Sequence, residues 1–215
     1  MTFFELSSVS FGYSRAKRNV LQDFSLQMNK GEIVGILGQS GCGKSTLLRI
    51  IAGLEAPRSG SIVINGRTLV DQHKLVLPER RGVGMIFQDY ALFPHLTVAQ
   101  NILFGLHGLT KKERLLRLDE MLELIQLQPF RKRYPHELSG GQQQRVAFAR
   151  ALAPAPELLL MDEPFSSLDA DLKQSIREEL KRMLRAADMT CILVTHDKDD
   201  AAVICDRIVQ IESQV

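Results

Sequence analysis

The chain has 215 residues, 45% of them hydrophobic and 24% charged, which is enough for one domain with a substantial core. Lys and Arg total 27 against 25 Asp and Glu, and a net charge of +2 argues against a whole-surface nucleic-acid or membrane footprint. Cys42, Cys191 and Cys205 are scattered and odd in number, so neither a disulfide framework nor a zinc site is indicated, which fits a reducing cytosol.

No basic segment followed by an apolar run opens the chain, so no signal peptide is read there, and the longest apolar runs are too short to span a bilayer. Residues 1–28 read as two or three short strands, with Val20 to Leu26 alternating best, and Asn29-Lys30-Gly31 reads as a turn. Glu32 to Leu37 is an apolar run of buried-strand type, and a glycine-rich loop follows directly. Lys44 to Ala52 reads as a helix stopped by Gly53. Ser61 to Ile64 is a strand ending at the turn pair Asn65-Gly66, and Gly84 to Phe87 is another. Between Thr97 and Gln128 the pattern turns helical, with Leu115, Leu118, Met121, Leu122 and Ile125 recurring at three and four. A helix over Ser139–Ala153, a strand over Leu158–Met161, a helix over Ala170–Ala187, a strand over Cys191–Val194, a short helix over Asp197–Cys205 and a strand over Arg207–Ile211 complete the series. Alternating strands and helices predict an α/β core with a largely parallel sheet, interrupted by a helical insert over about residues 90–150.

The loop Gly38-Gln39-Ser40-Gly41-Cys42-Gly43-Lys44-Ser45 matches Gly-x4-Gly-Lys-Ser between a strand and a helix, the context that gives the pattern its meaning. Glycines let backbone N–H groups turn inward around phosphates, and the helix N-terminus adds partial positive charge. Lys44 can reach the β and γ phosphates, and the Ser45 hydroxyl can ligate Mg²⁺. The bland alternative is a glycine-rich turn beside a surface lysine; the strand-loop-helix setting disfavours it. Cys42 reads as a small loop filler.

Leu158-Leu159-Leu160-Met161-Asp162-Glu163 is an apolar strand ending in two carboxylates. Ligands of parallel sheets bind beyond the carboxyl ends of strands, so both acids aim at the phosphate loop. Successive strand residues point to opposite sides. Asp162 therefore suits Mg²⁺ and its waters, and Glu163 suits the general base that orients an attacking water.

Leu138-Ser139-Gly140-Gly141-Gln142 opens a helix with an N-cap serine and two glycines, much like a second anion site. Placed shortly before the acidic strand and long after the phosphate loop, it makes the sequence resemble the ATP-binding cassette (ABC) ATPases over nearly the whole chain. The resemblance implies a P-loop NTPase core with a mostly parallel sheet, an N-terminal antiparallel β subdomain and an inserted helical subdomain. Residues 1–89 and 151–215 would form the core with its β subdomain, and about 90–150 the helical part. It implies ATP and Mg²⁺ as cofactors. Gly38 to Ser45 and Thr46 would bind the nucleotide, with Tyr13 stacked on adenine and Val20 nearby. Gln88 resembles the glutamine that contacts Mg²⁺ and the attacking water, joining Ser45 and Asp162 around the metal. His196 resembles the switch histidine of the γ-phosphate, and Ser167-Leu168-Asp169 the loop that crosses to a partner subunit. A core or surface tyrosine and a structural strand-end histidine are the plainer alternatives for Tyr13 and His196.

The same resemblance implies a head-to-tail homodimer in which Ser139, Gly140, Gly141 and Gln142 of one subunit face the phosphate loop of the other across ATP. The segment from Pro78 to Val98 resembles the bacterial importer ATPases for ferric iron, polyamines, maltodextrins and sulfate. Integral membrane permease subunits, and indirectly a solute-binding protein, are then the expected partners, with the chain peripheral at the cytoplasmic face of the inner membrane. Ferric iron is the preferred solute, with thiamine and polyamine behind it. Tyr90, Leu92 and Phe93 would form an apolar groove for a permease helix, pack the two parts of the cassette together, or do both. A non-transport ABC ATPase acting on DNA or ribosomes is disfavoured by the single cassette, the near-neutral charge and the absence of a long heptad run, and no nucleic-acid partner is expected. Relatives continue after Ile211 with a turn, a strand and a closing helix, and often a regulatory β domain; that C-terminal domain is read as absent here.

Overall fold

The computed structural model describes residues 2–13, 19–166 and 170–211. Its elements in chain order are β1 (Thr2–Phe11), β2 (Leu21–Asn29), β3 (Ile33–Leu37), α1 (Lys44–Ala52), β4 (Ser59–Ile64), β5 (Arg67–Val70), β6 (Val83–Ile86), α2 (Val98–Leu103), α3 (Lys111–Leu124), α4 (Gly140–Leu152), β7 (Leu158–Asp162), α5 (Ala170–Ala186), β8 (Cys191–Thr195), α6 (Lys198–Ile204) and β9 (Arg207–Gln210). An antiparallel sheet has the order β2-β1-β4-β5. A wholly parallel sheet has the order β6-β7-β8-β3-β9.

The parallel strands β3, β7 and β8 are buried along their whole length, because both faces of the sheet are covered. The two-residue side-chain period divides them between two cores. Leu158, Leu160, Ile192, Val194, Val34 and Ile36 pack with α1 and with Phe4, Leu6, Ile62 and Ile64 of the antiparallel sheet. Leu159, Met161, Cys191, Leu193 and Ile33 pack with helical residues such as Val98, Ile102, Leu118, Leu122, Val146, Phe148 and Leu184. Each fully buried aliphatic side chain contributes about 1.5–3 kcal/mol, so both cores strongly select this side-chain alternation.

The helical pattern over 97–128 resolves into two helices, α2 and α3. Thr97 and Thr110 each cap a helix with a reciprocal box, to Gln100 and Glu113 respectively, so a second start follows the end of the first helix at Leu103. Leu118, Met121, Leu122 and Ile125 are buried as the periodicity predicts, but Leu115 is 41% exposed. The short strand β5 carries no alternating pattern of its own; it is placed by the Asn65-Gly66 turn, whose positive φ values of 50° and 73° suit a tight hairpin.

Arg81 is fully buried. Its Nε donates to the Val76 carbonyl at 2.8 Å, and one terminal nitrogen donates to the Ile50 and Ile51 carbonyls at 2.8 and 2.9 Å. The guanidinium thus closes the C-terminal end of α1, where a cation also opposes the helix dipole. Gly53, at φ 89°, makes room for it: an added Cβ would lie 2.5 Å from the Arg81 Nε. Replacing Arg81 with Met should lower folding stability by about 2–4 kcal/mol, the scale for losing charge-assisted bonds and leaving carbonyls unpaired; an unchanged urea midpoint would show that the clamp contributes nothing.

Cys205 packs under β3, so that a Cβ on Gly35 would come within 2.8 Å of its sulfur. Burial, reinforced by the nearby carboxylates of Asp206 and Asp200, pushes its thiol up to about 12. Its thiolate fraction at pH 8 should therefore make alkylation about a thousandfold slower than for a free cysteine, a rate that a mass-spectrometric time course with iodoacetamide measures directly.

Candidate active site

The register of the parallel sheet brings the ends of separate strands level. Leu37 of β3 pairs with Thr195 of β8, Asp162 of β7 pairs with Val194, and Ile86 of β6 pairs with Met161. The residues that leave these strands, Gly38, His196, Glu163 and Gln88, therefore emerge at one edge.

Helix α1 begins at Lys44 with Gly43 as its N-cap, at φ 99°, with no side chain capping it and no acidic residue in its first turn. Its first N–H groups consequently face outward without an internal competitor. Gly43 is required twice over, by its backbone conformation and because a Cβ would approach Val20 Cγ1 to 2.9 Å. This contact is how Val20 reaches the loop. Gln39, Ser40 and Gly41 are exposed, and Cys42 is buried, as a filler should be. Lys44 is 5% exposed. Its Nζ donates to the carbonyls of Gly38 at 2.8 Å and Gln39 at 2.9 Å, folding the loop around the cation. Tyr13 is 41% exposed, with its ring edge-on to Phe11 and its hydroxyl 3.3 Å from Thr46 Oγ1. It stands over the start of α1 with an open face.

Ser45 Oγ donates to Asp162 Oδ1 at 2.9 Å. Burial raises the Asp162 carboxyl above its ordinary range; the Ser45 bond opposes this, and the neighbouring Glu163 charge adds to it. Gln88 lines the same cleft of about 580 Å³ with Ser45, Asp162, Arg49 and Asp89. A hydroxyl, a carboxylate and an amide oxygen suit a hard cation such as Mg²⁺, which keeps several of its waters. A desolvated carboxylate at the cleft floor is the electrostatic match for it. Ser45, Asp162 and Gln88 would hold the metal.

Glu163 has a left-handed backbone, φ 45°, unusual for a residue with a side chain. The turn sends its carboxylate away from that of Asp162: Oε1 lies 4.0 Å from Lys44 Nζ, and Oε2 lies 3.0 Å from His196 Nδ1. His196 itself is 59% exposed. Lys198 and Gln210, which no motif singles out, line a cleft of about 700 Å³ with His196 and Gly38 to Ser40.

Three predicted site features stand apart. Ser139 caps α4 by accepting from the Gln142 N–H at 3.3 Å and donating its own N–H to Gln142 Oε1 at 3.0 Å. Its hydroxyl and the Gln142 amide are thus turned toward each other, while among the described residues no hydrogen bond engages the N–H of Gly140 or Gly141. Asp169, with Ser167 and Leu168, lies outside the described residues. Tyr90 is buried, and its hydroxyl donates to the Pro164 carbonyl at 3.4 Å, so it packs the cassette rather than lining a groove. Phe93 instead meets the half-exposed Phe104 ring at 4.3 Å. Arg150 of α4 holds the intervening backbone, donating to the carbonyls of Tyr90 at 2.9 Å and Ala91 at 2.6 Å, two consecutive residues at positive φ.

No helix of the described residues is long and apolar enough to cross a membrane. The ABC transporter family model matches residues 21–166. The chain is 49% identical over 193 residues to the putrescine transport ATP-binding protein PotG of Escherichia coli (strain K12), covering 89% of this chain and 50% of that protein. It is 48% identical over 206 residues to an Fe(3+) ions import ATP-binding protein, FbpC 2, of Pectobacterium atrosepticum, covering 95% and 59%. The chain thus spans about half to three fifths of the length of these relatives. Among solved structures, the dimeric structure of MJ0796, a bacterial ABC transporter cassette, superposes with a TM-score of 0.81 at 34% identity, covering 98% of this chain and 94% of that one. With an α/β P-loop NTPase fold and these relatives, the chain belongs to the ABC transporter family as an ATP-binding domain.

Proposed function

We propose that this cassette hydrolyses ATP and drives solute import through partner membrane subunits. The observation that carries the reading is the division of labour between two adjacent carboxylates. Asp162 turns to Ser45 and the metal cleft, while Glu163 turns to Lys44 and His196. In this reading the loop from Gly38 to Thr46 cradles the phosphates, with Tyr13 and Val20 beside the adenine. Lys44 neutralises charge on the β and γ phosphates. Glu163 accepts the proton of the attacking water, and Gln88 and His196 position that water and the γ-phosphate. When bound, Mg²⁺ would offset charge on the phosphate oxygens.

Each such site is half of a whole. The free N–H groups at Gly140 and Gly141 fit the phosphates of a nucleotide held by a second copy, in a head-to-tail pair with two ATP molecules between the subunits, each crossing loop contributing Asp169. The helical segment over about 90–150 would act as the subdomain that carries Ser139–Gln142. The Phe93–Phe104 pair is the surface offered to a permease segment, at the cytoplasmic face of the inner membrane. Similarity over Pro78–Val98 favours ferric iron as the solute, and the Fe(3+) relative is consistent with it; the putrescine relative supports a polyamine in its place.

Glu163→Gln should lower the turnover number by at least about 100-fold, the usual contribution of a general base, with ATP affinity kept within about threefold. Wild-type turnover in that variant would move the base elsewhere. Proteoliposomes holding the cassette with its co-purified permease should accumulate radiolabelled ferric iron on ATP addition; uptake of putrescine alone would replace the iron reading with the polyamine one.

A further inference from the structure

His196 stands between two residues that are tied to the same buried cation. Thr195 and Asp200 are 1% and 3% exposed, and Arg177, on α5, is 7% exposed. The Thr195 hydroxyl donates to Asp200 Oδ2 at 2.8 Å and accepts the Asp197 N–H at 3.0 Å. The Arg177 Nε donates to Asp200 Oδ1 at 2.6 Å, and one terminal nitrogen donates to Asp197 Oδ2 at 2.9 Å. The other Asp197 oxygen caps α6 by accepting the Asp199 N–H at 2.8 Å. The residue before His196 and the residue after it are thus joined through Asp200 and one guanidinium, while the imidazole itself projects outward to Glu163.

Such a network is costly to bury unless every member is satisfied. Here three acceptor oxygens converge on Arg177 and the Thr195 hydroxyl, and no oxygen of Asp200 is left over. Arginine cannot escape the cost by losing its proton, and its planar fork spans two carboxylates where lysine would reach one. Simple packing of α5 on α6 would be met more cheaply by an apolar residue, as Leu180 and Leu184 do elsewhere on the same helix.

We propose that Arg177 is a positioning residue for hydrolysis: through Asp197, Asp200 and Thr195 it fixes the backbone on which His196 meets Glu163 and the γ-phosphate. This rests on the assignment of His196 above. Arg177 is buried and lines neither the cleft at Ser45 and Gln88 nor the one at His196, so its removal should slow turnover through His196 and leave nucleotide binding alone.

The test is a double-mutant cycle of single-turnover ATP hydrolysis with Arg177→Met and His196→Ala, alongside ATP affinity and thermal melts. Arg177→Met alone should lower the rate at least about tenfold with ATP affinity within about threefold. In the His196→Ala background the same substitution should lower it by less than about twofold further, because the group it positions is gone. Equal fold losses in both backgrounds would overturn the proposal and leave Arg177 merely structural. If His196→Ala alone keeps the wild-type rate, the His196 assignment fails instead. Should Arg177→Met melt out, Arg177→Met/Asp200→Asn removes both buried charges together; it should fold and still lose turnover, and wild-type turnover in that protein would overturn the proposal. Arg177→Lys, which keeps the charge and loses the fork, should recover less than half of the rate.

Discussion

The parallel pairing of β7 with β8, and of β8 with β3, is the constraint on which the rest of the molecule depends. Asp162 beside Val194 and Thr195 beside Leu37 bring a carboxylate, a histidine turn and a glycine-rich loop to one edge. The register is held by the two cores rather than by the site. Slipping β7 by one residue would exchange Leu158 and Leu160 with Leu159 and Met161 between opposite faces, against two filled interiors. Apolar residues that never touch a nucleotide therefore decide which way Asp162 faces.

Where the chain leaves regular structure, buried and half-buried arginines take over. Arg81 closes the far end of the phosphate-loop helix on carbonyl oxygens, Arg150 grips two left-handed residues after Gln88, and Arg177 underpins the His196 turn. Burial lowers the ordinary pKa of both Arg81 and Arg150. Desolvation of this kind is offset only where the five donors find several acceptors in fixed geometry. The consequence is rigidity at the ends of the strands, where a reacting centre needs tight positioning.

Much of this was legible in the sequence. The phosphate loop, the α1 helix over Lys44–Ala52 and the acidic end of β7 follow from local patterns whose physics is complete within a dozen residues. The apolar runs identified parallel strands because both faces are buried. What was not legible depends on residues far apart in the chain. Arg177 and Asp200 carry no motif, and only the packing of α5 on α6 makes them a pair. Tyr90 allowed a groove, packing or both, since its hydroxyl partner, Pro164, lies 74 positions away. The break between α2 and α3 was visible in Thr110 and Glu113, but apolar spacing across it masked the second start. The order of the sheet strands and the left-handed turn at Glu163 left no sequence signal.

In the proposed function one chain holds two unlike halves of a nucleotide site: the loop around Lys44 with Glu163 and His196, and the helix start at Ser139–Gly141. A catalytically arrested subunit should then be joined to a second copy by the nucleotide itself. Sedimentation velocity of the Glu163→Gln protein with and without saturating Mg²⁺-ATP tests this most directly. The protein should be a monomer without nucleotide and a dimer with it, the dimer being lost when Ser139 is replaced by Arg. A protein that stays monomeric while fully occupied by ATP would contradict it.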